Sequence, residues 1–199
     1  MDTIATRRSV RKYNDTPVAR ELIDEIIQAA ILAPSAKNRQ PWKYIVYQGQ
    51  AKDELLDEME RGLLRERDGA PSDKLLPESA QGLPDAFWTL KVMRQAPVLI
   101  IIENTNGSSP YEDIDTTRRI SEICDTLSIG ASIENMLLRA TQLELGTLWI
   151  ANTCFAYNEL ATHIGIQGQL VGAVSLGYAD ENPKARPRKA LEDVVEYRE

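Results

Sequence analysis

Apolar residues recur at regular spacings along the chain, and each spacing assigns a segment. From Arg20 to Ala33 they fall at Leu22, Ile23, Ile26, Ile27, Ala29, Ala30 and Ala33. That is helical spacing with a broad buried face, and Pro34 ends it. Trp42–Tyr47 is β-prone and predicts a strand, stopped by Gly49. Residues 51–67 read as a strongly charged helix. Val98–Ile102, after Pro97, is a continuous run rich in β-branched residues and predicts a central strand buried on both faces. A long helix is expected from about Thr117 to Leu145, through Ile120, Ile123, Leu127, Ala131, Met136, Leu137 and Leu138, with Gly146 as its C-cap. Thr147–Ile150 predicts a short strand. Asn158–Ile164 predicts a short helix capped by Tyr157 or Asn158, and Leu170–Tyr178 a last strand. Residues 3–8 fit a short helix capped by Asp2. This order supports a mixed sheet covered by helices, α+β or α/β.

The polar breaks carry as much information. Residues 68–86 hold Gly69, Pro71, Pro77, Gly82 and Pro84 and predict an excursion over the surface, a lid. Ser35-Ala36-Lys37-Asn38-Arg39-Gln40-Pro41 is a polar loop between a helix and a strand. Its hydroxyl and amides suit a planar heteroaromatic ring or a ribityl chain, and equally suit an ordinary turn; spacing alone leaves both open.

At 199 residues, 43% of them hydrophobic, the chain is expected to form one domain spanning 1–199. It has no apolar run of 18 residues and no apolar leader, so no membrane segment is expected. Two cysteines, Cys124 and Cys154, make no disulfide framework and point to a reducing cytoplasm. The net charge of −7 disfavours nucleic acid as a partner. Yet residues 1–12 hold Arg7, Arg8, Arg11 and Lys12 against Asp2 alone, and residues 184–189 hold Lys184, Arg186, Arg188 and Lys189 against no acid. Both ends of an acidic chain are basic. They are solvated tails, or they meet around a small anion such as a phosphate.

Nucleophilic and metal chemistry find little support. The single histidine, His163, has no nucleophile motif near it and excludes a histidine-rich metal site, so no metal is expected. The cysteines lack a Cys-x-x-Cys partner and read as buried, inert thiols. No P-loop is present, and the glycines at 165, 168 and 172 do not make a dinucleotide fingerprint.

Four segments together carry a resemblance. Arg7-Arg8-Ser9-Val10-Arg11-Lys12-Tyr13, followed by Pro17-Val18, resembles the opening of the nitroreductase family of flavoproteins. Ala33-Pro34-Ser35-Ala36-Lys37-Asn38-Arg39-Gln40-Pro41-Trp42 resembles its Pro-Ser-x-x-Asn-x-Gln-Pro-Trp loop. Gly130–Leu138 with Leu145–Ile150 is similar to its central helix and following strand, and Gly177–Lys189 to its C-terminal arm.

The resemblance implies an α+β homodimer with a mostly antiparallel sheet flanked by helices, and a C-terminal arm reaching the other subunit. It implies FMN bound at the subunit interface. Arg7, Ser9 and Arg11 would hold phosphate and ribityl groups, and Arg8 the ribityl chain or the ring's polar edge. Arg186 and Arg188 would complete the phosphate clamp, with Lys184 beside them. Pro34, Ser35, Ala36 and Asn38 would come from the other subunit. Backbone at Ile150, Ala151 and Asn152 would lie against the ring, and Lys91 near its pyrimidine edge. Ala36 stands where many members have a hydroxyl, and Asn152 where a smaller residue is commoner. Segments 50–95 and 104–116 match nothing in the family pattern and are expected to be variable lid segments that shape the substrate pocket.

The implied activity is NAD(P)H-dependent, ping-pong reduction of nitroaromatics, quinones or similar electron-poor compounds. No side-chain acid or base is required, because FMN carries the chemistry. The alternatives are a flavin-binding protein without NAD(P)H turnover and a flavin-fragmenting or dehalogenating relative.

Overall fold

Val98–Asn104 (β2) is the strand around which the molecule is built, and all seven of its residues are buried. In the computed structural model, which describes residues 2–199, β2 lies inside a four-stranded sheet. The other strands are Trp42–Gln48 (β1), Gly146–Ile150 (β3) and Gln169–Gly177 (β4). The order is β1-β2-β4-β3, and every adjacent pair is antiparallel.

Successive side chains of a strand point to opposite faces. Leu99 and Ile101 therefore enter one core, and Val98, Ile100 and Ile102 the other. The first core is closed by α3 (Gly49–Asp68), α4 (Leu83–Gln95) and α6 (Tyr157–Ile164). The second is closed by α2 (Arg20–Ile31) and α5 (Thr116–Gln142). A short α1 (Thr3–Thr6) precedes them, with the Asp2 carboxylate accepting from the Ala5 N–H. Among the described residues no helix is long and apolar enough to cross a membrane.

Three local expectations are corrected. Segment 50–95 is mostly core rather than covering: Leu55, Leu56, Met59 and Leu63 of α3 are wholly buried. Only residues 69–82 run over the surface, held at Leu75 and Leu76, whose N–H groups donate to the buried Glu66 carboxylate. Gly146 does not cap α5. The helix ends at Gln142, and Glu144 makes the left-handed turn at φ 60°. Gly146 opens β3 instead, where a Cβ would come within 2.8–2.9 Å of the Val10 side chain. Finally, α6 starts at Tyr157 without a side-chain cap; the buried tyrosine's hydroxyl accepts from the Leu170 N–H.

The long helix also differs in what it buries. Its C-terminal half packs through Ile129, Ile133, Met136 and Leu137, but Ile120, Ile123 and Leu127 are more than half exposed. They share one face, at spacings of three and four residues.

Candidate functional site

The two basic ends meet along a seam. Val10 N–H donates to Thr147 O at 2.8 Å, as Ser9 bridges Thr147 in parallel beside β3. Tyr13 bridges Ala179, Asn14 N–H donates to Tyr178 O at 3.1 Å, and Asp180 N–H to Lys12 O at 2.9 Å. The Arg11 N–H donates to the Glu181 carboxylate. Tyr13 sits beneath, buried, with its hydroxyl donating to Val10 O. Burial, aided by the Glu181 charge and opposed by Arg11, pushes its phenol far up, so it stays a donor.

This seam opens a cleft of about 710 Å³. Arg7, Arg8, Ser9, Arg11, Lys184, Arg186 and Arg188 line it, with Glu181 its lone acid. Most of the guanidinium contacts are to backbone carbonyls. Arg8 donates to Ala5 O and Arg7 O, Arg11 to Ser9 O, and Arg188 to Arg186 O and Pro187 O. Arg7 alone pairs with a carboxylate, Glu134 at 3.3 Å. Carbonyls orient these cations without neutralising them, which leaves a strongly positive concavity suited to a phosphate.

A second cavity of about 570 Å³ adjoins the first, since Arg11 and Arg186 line both. Its floor is Leu148–Asn152, so Ile150, Ala151 and Asn152 are brought to the same place as the arginines. One wall is α4, which contributes Asp85, Trp88 and Thr89. The Arg11 guanidinium carbon lies 5.9 Å from the centre of the Trp88 ring. The Asn152 amide nitrogen donates to Asp85 at 2.9 Å and to Thr89 at 3.0 Å.

The remaining predicted residues lie elsewhere in this chain. Pro34, Ser35, Ala36 and Asn38 line neither cavity. Their loop is pinned to α5: Ala36 N–H donates to Ser128 Oγ, and Arg39 pairs with the buried Asp125 at 2.7 Å. Lys37, Asn38 and Gln40 all hold positive φ. Such conformations cost of order 1–3 kcal/mol each and cluster at working sites. Lys91 is exposed on α4 and lines neither cavity. His163 is exposed on α6, and the cysteines are half-buried rather than buried, with burial raising the Cys154 thiol.

Sequence reading missed Asp85, Trp88, Thr89 and Glu181. The first three stand at i, i+3 and i+4 on one helix face, a signal present in the sequence but without a direction until the helix is packed.

The family model of the nitroreductase family matches residues 4–178. A relative from Archaeoglobus fulgidus, provisionally named an NADH dehydrogenase/NAD(P)H nitroreductase, is 30% identical over 182 residues, covering 88% of this chain and 82% of the relative. A BluB-like flavoprotein from Clostridium difficile 630 superposes with a TM-score of 0.77 at 26% identity, covering 100% of this chain and 98% of that one. The FMN and NADPH-dependent nitroreductase NfnB from Sphigopyxis sp. strain HMH gives a TM-score of 0.74 at 20% identity, with the same coverage, and shares the fold.

Proposed function

Because this chain belongs to the nitroreductase family, we propose that it is an FMN-dependent oxidoreductase that uses NAD(P)H to reduce nitroaromatics, quinones or similar electron-poor compounds. The observation that carries the reading is the convergence of two basic termini on one cleft beside a cavity walled by an indole. The donor set suits FMN at both ends. Arg7, Arg8, Ser9, Arg11, Arg186 and Arg188, with Lys184, supply charge and hydrogen bonds for a phosphate and its ribityl chain. Trp88 and the Ile150–Asn152 backbone supply a flat, partly apolar surface for a ring.

FMN held there would supply the two-electron chemistry that links NAD(P)H to the acceptor in a ping-pong cycle. The chain binds, orients and shields. The cations beside the cleft favour negative charge on the occupant.

A homodimer completes the site. Residues 184–199 are all exposed, and Leu191, Val194, Val195 and Tyr197 find no cover within the chain. The apolar face Ile120–Ile123–Leu127 offers a second uncovered surface. The strained Pro34–Asn38 loop then reaches the FMN of the partner subunit.

The likeness to a BluB-like flavoprotein favours one second reading, a flavoprotein with specialised flavin chemistry. The visible spectrum of the purified protein, recorded anaerobically before and after NADPH or NADH, separates the readings. A flavin spectrum that bleaches supports the reductase. A flavin spectrum that persists favours the second reading, and a colourless protein that cannot take up FMN overturns both. A dimer near twice 22.3 kDa is expected on sizing.

A further inference from the structure

One face of α5 is polar where a helix packed on a sheet is usually apolar. Ser121, Asp125, Ser128 and Ser132 recur at spacings of four, three and four residues. Asp125, Ser128 and Ser132 are buried, and Asp125 is only 2% exposed. The first three meet the loop between α2 and β1. The Arg39 Nε donates to Asp125 Oδ1 at 2.9 Å, and its Nη2 lies 2.7 Å from the same oxygen. Nη2 also donates to Ser121 O at 3.4 Å, and the Ala36 N–H donates to Ser128 Oγ at 3.2 Å. Among the described residues Arg39 is the only cation paired with Asp125. Between and beside these anchors, Lys37, Asn38 and Gln40 hold φ of 54°, 54° and 48°, and none of them is glycine. Such a backbone persists only where its surroundings hold it. The anchors stand in the same turns of α5 as Ile120, Ile123 and Leu127, whose side chains are more than half exposed.

We infer that the Arg39–Asp125 pair is a positioning device that serves the FMN of the partner subunit. The inference rests on the proposed homodimeric FMN site. The pair acts through the loop rather than on the cofactor: Asp125 holds Arg39, Arg39 holds the left-handed backbone, and the loop presents Ser35 and Asn38 across the interface. A charged pair buried at one end suits this task. Its hydrogen bonds are directional, and leaving Asp125 buried without its partner is unfavourable.

Arg39→Met should weaken FMN binding by about ten- to a hundredfold, as loss of a group that orients ligating residues does. Arg39→Lys, which keeps the charge, should lose less. Amide exchange at Ala36 and Gln40, whose N–H groups donate to Ser128 and Ser35, should quicken in Arg39→Met with or without FMN. Arg39→Met also leaves a buried charge and lowers stability. Adding Asp125→Leu removes that charge and should restore stability but not FMN affinity. The decisive test co-expresses two differently tagged chains, one carrying Arg39→Met and the other Arg11→Ala with Arg188→Ala. Each altered homodimer should lack a tight FMN site. The mixed dimer should have one, because one intact clamp then faces one intact loop. Unchanged FMN affinity or unchanged exchange in Arg39→Met, recovery of affinity together with stability in the double variant, or a mixed dimer without a tight site overturns the inference. Failure of the FMN reading looks different: the unaltered protein takes up no FMN, while exchange at Ala36 and Gln40 still reports whether the pair holds the loop.

Discussion

Strand β2 and the C-terminal arm are both rich in apolar side chains, and they meet opposite fates. In β2 every residue from Val98 to Asn104 is buried between two helical layers. In the arm, Leu191, Val194, Val195 and Tyr197 lie exposed, from 38% for Val195 to 80% for Tyr197. The strand finds its cover inside the chain. The arm carries apolar groups that one chain does not cover and cations that complete a cleft lined by the other terminus. Burial in β2 supplies fold stability, whereas the proposed function gives the arm binding and assembly.

Deleting residues 184–199 tests this division most severely. It removes Lys184, Arg186 and Arg188 together; at about 1.5–3 kcal/mol for each charged hydrogen bond, FMN affinity should fall by roughly a thousandfold or more. The truncated chain should still unfold cooperatively by circular dichroism. If it does not fold, the arm belongs to the core after all.

Ile101→Ala acts on the other side of the comparison. It should cost about 2–5 kcal/mol of stability, lowering Tm by roughly 4–20 °C at this size. Leu191→Ala, which alters an exposed residue, should move the stability of the isolated chain by no more than about 0.5 kcal/mol. Similar losses for the two substitutions would erase the distinction.

Single cations have smaller effects. Arg11→Ala and Arg188→Ala should each weaken FMN binding by about ten- to a hundredfold, corresponding to 1.5–3 kcal/mol. Fluorescence titration of FMN reads this directly, and unchanged retention in both variants would refute the phosphate assignment.

The smallest effect concerns Glu103, the one charged residue in β2. Burial alone would raise its carboxyl. The Gly168 N–H at 2.9 Å, Lys43 at 3.1 Å and the Gln167 N–H at 3.0 Å outweigh burial and hold it below the ordinary value of 4.5. A carboxyl depressed in the folded state binds fewer protons than the unfolded chain does. Its stabilisation is present above pH 4.5 and is lost as pH falls through the folded value. Tm measured through this range should fall less steeply in Glu103→Gln than in the unaltered protein.

Much of the fold was legible because it is local. The β-prone composition of β1, the β-branched run of β2 and the periodicity of α2 each encode their element within a few residues. Two basic ends were legible as composition, and the family resemblance implied that they approach one anion. The wall of the inner cavity was not legible. Asp85, Trp88 and Thr89 share a helix face, but nothing within α4 says which way that face turns. Gly146 misled for a related reason: a glycine after a helix reads as a cap, while here it makes room for Val10, 136 positions earlier in the chain.

By itself the sequence determined most of the segments that become helices and strands, though not α4 (Leu83–Gln95), and that β2 is central and the termini carry unbalanced positive charge. Only the tertiary structure decided that those termini lie side by side, that Asn152 is tied to α4, and which half of α5 stays uncovered. Backbone conformation follows from spacings of two to four residues, so one segment suffices to specify it. A cleft is set by contacts such as Arg11 with Glu181, 170 residues apart, and these exist only when the whole sheet has formed.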